Sequence, residues 1–335
     1  MTPASPLTAR APFRISLAGG GTDLPRHATQ FGGQVVGFSI NRFVEVSIRA
    51  SHDARTRASG LYDEDVAQPS DLRSPYLRAA FEVLPPPGPV TLEVRSEVRP
   101  GAGLGGSGAF LNALCAALSA ARGEAPTPVD LAETTSRIEI DRLARKVGKQ
   151  DQYLSALGGC HLLSIDRDLS VRAAALSLGP KTTRYIADHL LLFDTGIARS
   201  ASQVLTAQDH NLSQSKATTL SAMEAIAALV APMLTALRKD RPEAIGPLLQ
   251  RHWDAKTELS AAITTPRLSA VIDTARAAGA DGVKLIGAGG GGYLLLSTTA
   301  GNVSPVRAAL HAAGFQELAF TFEPAGVTLH PADPA

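Results

Sequence analysis

The sequence predicts an α+β protein of two domains, and three observations support that prediction. The chain has 335 residues, of which 44% are hydrophobic and 19% charged, so it is long and apolar enough for two cores. Strand-like alternation and helix-like spacing of apolar residues both recur along it. Glycine-rich turns follow predicted strands near residues 19, 101 and 287. We expect the boundary near residue 185, which divides the chain into 1–185 and 186–335.

The first predicted strand ends in a run of glycines. Apolar and polar residues alternate over 11–17, and the sequence continues Ala-Gly-Gly-Gly-Thr-Asp-Leu-Pro to residue 25. Three successive glycines at a strand end indicate close approach to another group. Asp23 could accept hydrogen bonds from sugar hydroxyls or could be a turn or helix-cap residue, and local sequence leaves both interpretations open.

The sequence next predicts two strands, at 34–40 and 43–50, joined by a turn at Asn41-Arg42. A polar surface excursion is expected at 51–75, and a short helix at 76–84. The excursion contains the acidic triplet Asp63, Glu64 and Asp65. We interpret this triplet as part of a solvated loop rather than as a metal site.

The central feature is the segment 99–109, which reads Arg-Pro-Gly-Ala-Gly-Leu-Gly-Gly-Ser-Gly-Ala. It lies between a predicted strand at 90–98 and a predicted helix at 109–121. Glycines allow backbone N–H groups to converge, and a helix N-terminus adds a favourable dipole, so the segment predicts a polyphosphate-binding loop. It lacks the lysine of a P-loop, and no strand ending in an acid follows it as in a dinucleotide-binding fold.

Two acidic residues follow this loop. A helix is predicted from Thr127-Pro128 to about residue 147, ended by Gly148, and it places Glu139 on a face of small and apolar residues. Asp151 lies in the segment Gly-Lys-Gln-Asp-Gln-Tyr, where Lys149 could keep the aspartate ionised and hold a phosphoryl oxygen. Alternatively, Glu139 could be an ordinary exposed glutamate of an amphipathic helix, and the segment around Asp151 could be a polar turn that caps a helix.

The second half alternates strands and helices around a third glycine turn. Five glycines occur in the six positions 287–292, which indicates a tight turn near a ligand or another backbone. The predicted strands are 160–165, 170–176, 190–194, two within 281–297, 317–323 and 326–330. The predicted helices are 200–212, 215–238, 241–262, 266–279 and 304–314.

Composition disfavours several classes of partner and location. The net charge is +1 and no dense basic run occurs, which argues against nucleic-acid and membrane partners. Cys115 and Cys160 are expected to be reduced core residues of a cytoplasmic protein. The first eight residues lack a signal-peptide pattern, and no apolar run is expected to be long enough to span a bilayer.

Three stretches, taken in order, resemble the motifs of the GHMP small-molecule kinases. They are Ala-Pro-Phe-Arg-Ile-Ser with Gly-Gly-Gly-Thr-Asp, then Pro-x-x-Gly-Leu-Gly-x-Ser, then Lys-Leu-Ile-Gly-Ala-Gly-Gly-Gly-Gly from Lys284. Within that superfamily the chain is most similar to D-glycero-D-manno-heptose 7-phosphate kinases, which also have Gly-Lys-Gln-Asp-Gln-Tyr, Thr-Gly-x-x-Arg (195–199 here) and Trp-x-x-Lys (253–256 here). The resemblance covers nearly the whole chain. It implies a ribosomal-S5-like N-terminal and a ferredoxin-like C-terminal α/β domain.

The resemblance implies a sugar 1-kinase that uses ATP and Mg²⁺, preferably on a heptose 7-phosphate. Asp151, Lys149 and Arg14 would be catalytic, and Ser107 and Glu139 would bind Mg²⁺. The implied nucleotide-binding residues are Pro100, Gly101, Gly103, Leu104, Gly105, Gly106 and Ser107. The implied substrate-binding residues are Gly20, Gly21, Thr22, Asp23, Arg199, Gly289, Gly290 and Gly291.

One departure and several alternatives accompany the resemblance. The family loop usually reads Gly-Leu-Gly-Ser-Ser, whereas Gly106 replaces its first serine here and Gly108 follows Ser107. The alternatives are a free-sugar 1-kinase for a sugar such as fucose or galactose and a non-catalytic ligand-sensing protein; a Rossmann-type dehydrogenase is disfavoured. A phosphorylated substrate needs a second cationic pocket, for which Arg199, Lys256 and Lys149 are candidates. The oligomeric state stays open, with a homodimer as one option.

Overall fold

The computed structural model describes residues 6–197, 214, 217–260 and 263–331. Its strands are β1 (Leu7–Ala18), β2 (Gly33–Ala50), β3 (Thr56–Gly60), β4 (Glu64–Val66), β5 (Val90–Ser96), β6 (Cys160–Ile165), β7 (Val171–Ala175), β8 (Leu190–Asp194), β9 (Ala280–Leu285), β10 (Tyr293–Thr298), β11 (Gln316–Glu317) and β12 (Thr328–Pro331). Its α-helices are α1 (Pro25–Phe31), α2 (Pro75–Val83), α3 (Gly106–Ala121), α4 (Pro128–Arg137), α5 (Gln150–Leu157), α6 (Pro180–His189), α7 (Ala217–Ala228), α8 (Val230–Arg238), α9 (Ile245–Thr257), α10 (Pro266–Ala277) and α11 (Val303–Ala312).

Two separate sheets organise the described chain and confirm the predicted α+β class. The larger sheet has eight strands in the path β12-β1-β2-β5-β3-β4, and β6 and β7 extend it from β2. The smaller sheet has the order β11-β8-β10-β9. The apolar helix α3 packs on β1 and β2, and buried apolar residues form two core clusters. The predicted helix 200–212 lies outside the described residues.

The last strand returns to the first. β12 pairs antiparallel with the beginning of β1, so that Leu7 to Arg10 lie opposite 328–331. β12 thus belongs to the larger sheet although it comes after all strands of the smaller sheet in the sequence. The division of the chain into two domains near residue 185 remains a prediction.

The predicted strand pair at 34–50 is wrong. The segment is one continuous strand, β2, and both its halves pair with β1. The register shifts where Pro12 pairs with Phe43 but Phe13 pairs with Ile40, so that Asn41 and Arg42 form a bulge. Two polar residues between alternating apolar runs resemble a hairpin turn in sequence, but a bulge accommodates the same pattern without reversing the chain.

Several predicted helix limits also need correction. The helix expected over 127–147 is α helical only to Arg137, continues as a π-helical turn at Ile138–Arg142, and is irregular up to residue 149. The helix expected over 215–238 is divided at Leu229 into α7 and α8. The excursion at 51–75 contains β3 and β4, and the expected closing strands shorten to β11 and β12.

One apolar helical stretch contradicts the expectation that no run could span a bilayer. Residues 217–238 are long enough, and an 18-residue window within them has a mean hydropathy of 1.8. Their apolar side chains, however, contribute to the protein core, including Met223, Ile226 and Met233. A helix pair that helps to form a core passes the same test by composition, so this stretch is weak evidence for a membrane span.

Candidate active site

The site is a cavity of about 400 Å³ beside the central glycine loop. Its wall combines residues from the end of β1, the loop 99–107, the turn before α5, helix α9 and the turn after β9. Residues of all three glycine motifs, or their immediate neighbours, therefore line the cavity. Aromatic and aliphatic side chains that sequence reasoning did not single out also line it, namely Phe13, Val44, Leu61, Tyr62, Tyr76, Val98 and Phe110.

The loop 99–106 has the geometry expected of a phosphate cradle. Gly101, Gly103 and Gly105 all have positive φ, and left-handed Gly105 is the N-cap of α3. The loop is fixed from both sides, because the Arg14 N–H donates to Leu104 and a Cβ on Gly103 would lie 2.4 Å from the Ile286 carbonyl oxygen. The free N–H groups and dipole of the helix N-terminus thus adjoin the cavity. All predicted nucleotide-binding residues of the loop line it.

Ser107 and Glu139 are brought together from different helical segments. Glu139 is 2% exposed, accepts hydrogen bonds from Gln152 at 2.7 Å and Tyr76 at 3.3 Å, and is also hydrogen-bonded to Ser107. Burial raises the pKa of Glu139. A buried carboxylate beside a hydroxyl and the phosphate cradle offers the hard oxygen ligands that Mg²⁺ takes. The residues predicted as metal ligands therefore fit that ion.

Asp151 is held by Arg14. The Arg14 guanidinium donates from Nε at 2.8 Å and lies 2.6 Å from the same carboxylate oxygen through Nη2, while Nη1 donates to the Gly103 carbonyl. Arg14 is 3% exposed, whereas the Asp151 side chain is 23% exposed and faces the cavity. One arginine thus joins the phosphate loop to an accessible carboxylate in the first turn of α5.

Lys149 does not contact Asp151. Its Nζ lies 2.8 Å from Glu133, which also accepts a hydrogen bond from the Tyr153 hydroxyl. Residues two apart at the start of a helix do not face each other, so the expected neighbour of the aspartate lies on another side. Lys149 is absent from the lining of the cavity, and its proposed catalytic role remains a prediction.

The first glycine motif supports the catalytic turn. Asp23 is 2% exposed and accepts hydrogen bonds from the Gly21 N–H and from the backbone and side chain of Gln150, each at 3.0–3.1 Å. Burial raises its pKa. Gly20, Gly21 and Asp23 line the cavity, whereas Thr22 is buried and hydrogen-bonded to Gly19 and Gln34. The Thr22 side chain therefore stabilises the turn.

The third glycine motif faces protein more than cavity. A Cβ on Gly289 would contact Ile263 at 3.1 Å, and one on Gly291 would lie 2.4 Å from the Ile197 carbonyl. The Gly290 N–H donates to Ile263. Gly287 and Ala288 line the cavity instead. Arg199, the remaining predicted substrate residue, lies outside the described residues.

A buried basic cluster borders the cavity and was only partly foreseen. It comprises His252 and Lys256 of α9 and Lys284 of β9, each at most 6% exposed. The sequence prediction includes Lys256 as a candidate cation and Lys284 only as part of the third motif, and it does not include His252. Spacing of four residues on one helix was the available indication for His252 and Lys256.

Comparison with protein families identifies the fold. The profile "GHMP kinases N terminal domain" matches residues 75–159, and "GHMP kinases C terminal" matches residues 233–316, together about half of the chain. This chain belongs to the GHMP kinase superfamily. The resemblance seen in the sequence is thereby confirmed, and so is the two-sheet GHMP kinase fold. The chain is an ATP-dependent phosphotransferase to an alcohol, and GHMP kinases use ATP with Mg²⁺.

Individual relatives are distant. A curated D-glycero-alpha-D-manno-heptose 7-phosphate kinase of Campylobacter jejuni is 24% identical over 297 residues, covering 85% of this chain and 87% of the relative. An L-fucokinase/L-fucose-1-P guanylyltransferase of Bacteroides fragilis is 24% identical over 86% of this chain, which spans 34% of that protein. The crystal structure of a D-glycero-D-manno-heptose 1-phosphate kinase from Bacteroides thetaiotaomicron superposes with a TM-score of 0.81 at 19% identity, covering 98% and 100% of the two chains.

Proposed function

We propose that this GHMP kinase phosphorylates the anomeric hydroxyl of a sugar, with D-glycero-D-manno-heptose 7-phosphate as substrate and the 1,7-bisphosphate as product. The observation that carries the proposal is the pairing of Asp151 with Arg14 beside the phosphate loop. That pair gives a hydroxyl group a carboxylate to bind at the end of the cavity where phosphate would lie. The related heptose 7-phosphate kinase supports the choice of sugar.

The residues have distinct tasks in the proposed transfer. The loop 100–107 holds the ATP phosphates through its N–H groups. Ser107 and Glu139 would hold Mg²⁺, which neutralises phosphate charge when bound. Asp151 accepts the hydrogen bond of the attacking hydroxyl and orients it, and Arg14 fixes the carboxylate while adding positive charge near the transferred group. Lys149 remains a candidate for charge stabilisation only if it leaves Glu133.

Unpartnered polar atoms support a polyhydroxyl substrate. Among the described residues, Ser16 Oγ, Gln150 Oε1 and both ring nitrogens of His252 are buried without a hydrogen-bond partner, and all three residues line the cavity. Buried polar groups are almost always hydrogen-bonded, so these atoms are suited to accept partners from a polar ligand in the cavity. Sugar hydroxyls donate and accept, which suits oxygen and imidazole nitrogen alike.

The test is ADP release with ATP and Mg²⁺ across a panel of acceptors. The panel comprises D-glycero-D-manno-heptose 7-phosphate, sedoheptulose 7-phosphate, free heptose, fucose, galactose and mannose. We expect turnover on the heptose phosphate and a loss of roughly 10²- to 10⁴-fold in Asp151→Asn, which keeps the size of the side chain. Preferential turnover of fucose or galactose would instead favour the free-sugar kinase, which the fucokinase relative supports. ATP binding without turnover of any sugar would favour a ligand-sensing protein.

We also propose a cytoplasmic location without nucleic-acid or membrane partners. Cys115 and Cys160 are buried and free, and burial raises the pKa of each thiol to about 12, so neither is a reactive thiolate. A homodimer remains a prediction that sedimentation can test.

A further inference from the structure

We propose that His252, Lys256 and Lys284 form a built anion site that binds the phosphate already carried by the sugar substrate. The inference deepens the proposed function, because it rests on a sugar kinase that acts at this cavity. It assigns the second cationic pocket to one cluster of residues from the C-terminal half of the chain. Its ligand chemistry is a phosphate monoester.

The two lysines are fixed by backbone carbonyls rather than by acids. Lys284 Nζ donates to Ser16 O at 2.6 Å and Leu17 O at 3.1 Å, and Lys256 Nζ donates to the carbonyls of Leu285 and Gly287. An ammonium has three donors, so each amine retains one N–H beyond these contacts. Within the described ranges, neither has a carboxylate within 4 Å.

Burying two lysine amines beside Arg14 costs free energy unless an anion balances their charge. Burial, with Arg14 nearby, lowers the pKa of Lys256 to about 7. Burial, and then Lys256 and Arg14, also lower the pKa of Lys284 well below its usual value. The only carboxylate paired with this group of cations in the described structure is Asp151, which is already bound to Arg14. A second anion would compensate the charge that burial disfavours.

His252 provides an independent indication of a ligand. It is 1% exposed and borders the cavity, and neither Nδ1 nor Nε2 has a partner among the described residues. It lies one helical turn from Lys256, so both side chains lie on one face of α9. An imidazole N–H beside two ammonium groups is a suitable third donor for a phosphate oxygen.

The position along β1 separates Lys284 from the phosphate loop, whereas Lys256 is anchored at Gly287, which packs directly on Gly103 of that loop. The backbone N–H of Arg14 donates to Leu104 of that loop, whereas Lys284 binds the carbonyls of Ser16 and Leu17, two and three residues further along the strand. At about 3.3 Å per residue, this separation is roughly 7–10 Å. It is comparable with the length of a seven-carbon sugar. A sugar with its anomeric hydroxyl at Asp151 can therefore place its far end at Lys284, the member of the cluster that is anchored furthest along β1.

The experiment compares two substrates in wild type and in two variants of the full chain. We would measure kcat/KM for D-glycero-D-manno-heptose 7-phosphate and for the free heptose in wild type, Lys256→Met and Lys284→Met. The matched control is Lys239→Met, because Lys239 is an exposed lysine at the end of α8. We expect each cluster variant to lose roughly 10- to 100-fold on the phosphorylated sugar, as for hydrogen bonds to charged groups, and less than about 3-fold on the free sugar. The KM for ATP should stay unchanged.

Equal losses on both sugars would overturn the inference, since the cluster would then serve catalysis or folding. Wild-type turnover of free sugars alone would overturn it while leaving a sugar kinase. If no sugar is turned over, the proposed function fails, and binding of inorganic phosphate decides the inference separately. That titration is done by calorimetry with a non-hydrolysable ATP analogue present to fill the phosphate loop. Phosphate binding that is lost in Lys256→Met but kept in Lys239→Met supports the site, and unchanged binding contradicts it.

Discussion

The contact between Gly108 and the catalytic turn gives the sharpest test of the site. A Cβ built on Gly108 would lie 2.9 Å from the Asp151 carbonyl carbon and 3.0 Å from both Asp151 Cβ and Gln152 N. Ordinary contacts between carbons are about 3.5–4.0 Å, so Gly108→Ala must move α3 and α5 apart by roughly 0.5–1 Å. Two of these three atoms are backbone and cannot rotate away.

This displacement acts mainly on catalysis. Misplacement of a catalytic group by about 1 Å can cost roughly 10²-fold in rate, so we expect kcat of Gly108→Ala to fall about 10- to 100-fold. Overpacking costs about 1–3 kcal/mol, and replacing glycine by alanine within a helix returns about 1 kcal/mol. The free energy of unfolding should therefore fall by only about 0–2 kcal/mol.

The assay compares Gly108→Ala with Gly106→Ala in the same loop. Among the described residues, a Cβ on Gly106 would contact only Phe13 Cε1, at 3.3 Å, which a small movement of the ring relieves. Steady-state ADP release on the best acceptor and urea unfolding are measured for both variants. A Gly108→Ala enzyme with wild-type kcat would refute the argument, as would equal rate losses in the two variants.

Three further predictions concern charged groups. Glu139→Gln should raise the Mg²⁺ concentration for half-maximal ADP release by at least roughly 10-fold without loss of folding, which circular dichroism checks. Arg99→Met should reduce stability by about 1 kcal/mol near neutral pH, because Arg99 pairs with both oxygens of partly exposed Asp194. Burial alone would raise the pKa of Asp194, but hydrogen bonds from Arg99 and Gly196 hold this pKa below its usual value. Protonation of Asp194 at low pH removes its ion pair with Arg99, so the difference in stability between wild type and Arg99→Met should vanish when urea unfolding is repeated below about pH 4. The pKa of Lys256 is about 7 in the folded protein and about 10.5 in the unfolded chain. Below pH 7 the lysine is charged in both states, so the folded protein bears the full cost of burying the charge; above pH 7 the folded lysine loses its proton and this cost falls. The free energy of unfolding of wild type, relative to that of Lys256→Met, should therefore increase from pH 7 to 10.

Local features of the fold could be predicted from the sequence. The loop 99–109 and helix α3 depend on glycine spacing and a continuous apolar run, which are properties of neighbouring residues. Glu139 could be recognised as unusual because it shares a face with small residues, and it is indeed buried. Its contact with Ser107, 32 residues earlier, could only be expected from the resemblance to a family.

Contacts between distant segments account for what was missed. Lys149 is two residues from Asp151 in sequence, yet Arg14, 137 residues away, makes the ion pair. The bulge at Asn41-Arg42 depends on the register with β1, which local alternation does not reveal. The basic cluster likewise requires α9 and β9 to meet the end of β1. These three errors thus concern long-range geometry that single-sequence periodicity cannot encode.

The pairing of β12 with β1 has a consequence for synthesis of the protein. Residues 321–327 also bond to the sheet region, through Asn41, Gly159 and the Ala156 carbonyl, before the chain reaches β12. At about 5–20 residues per second, the ribosome needs roughly 15–60 seconds after making β1 to deliver its second neighbour. During that time the strand that carries Arg14 has one open edge, to which another chain could add. A nascent chain arrested before residue 321 should therefore bind a chaperone, and one extended past residue 331 beyond the exit tunnel should release it.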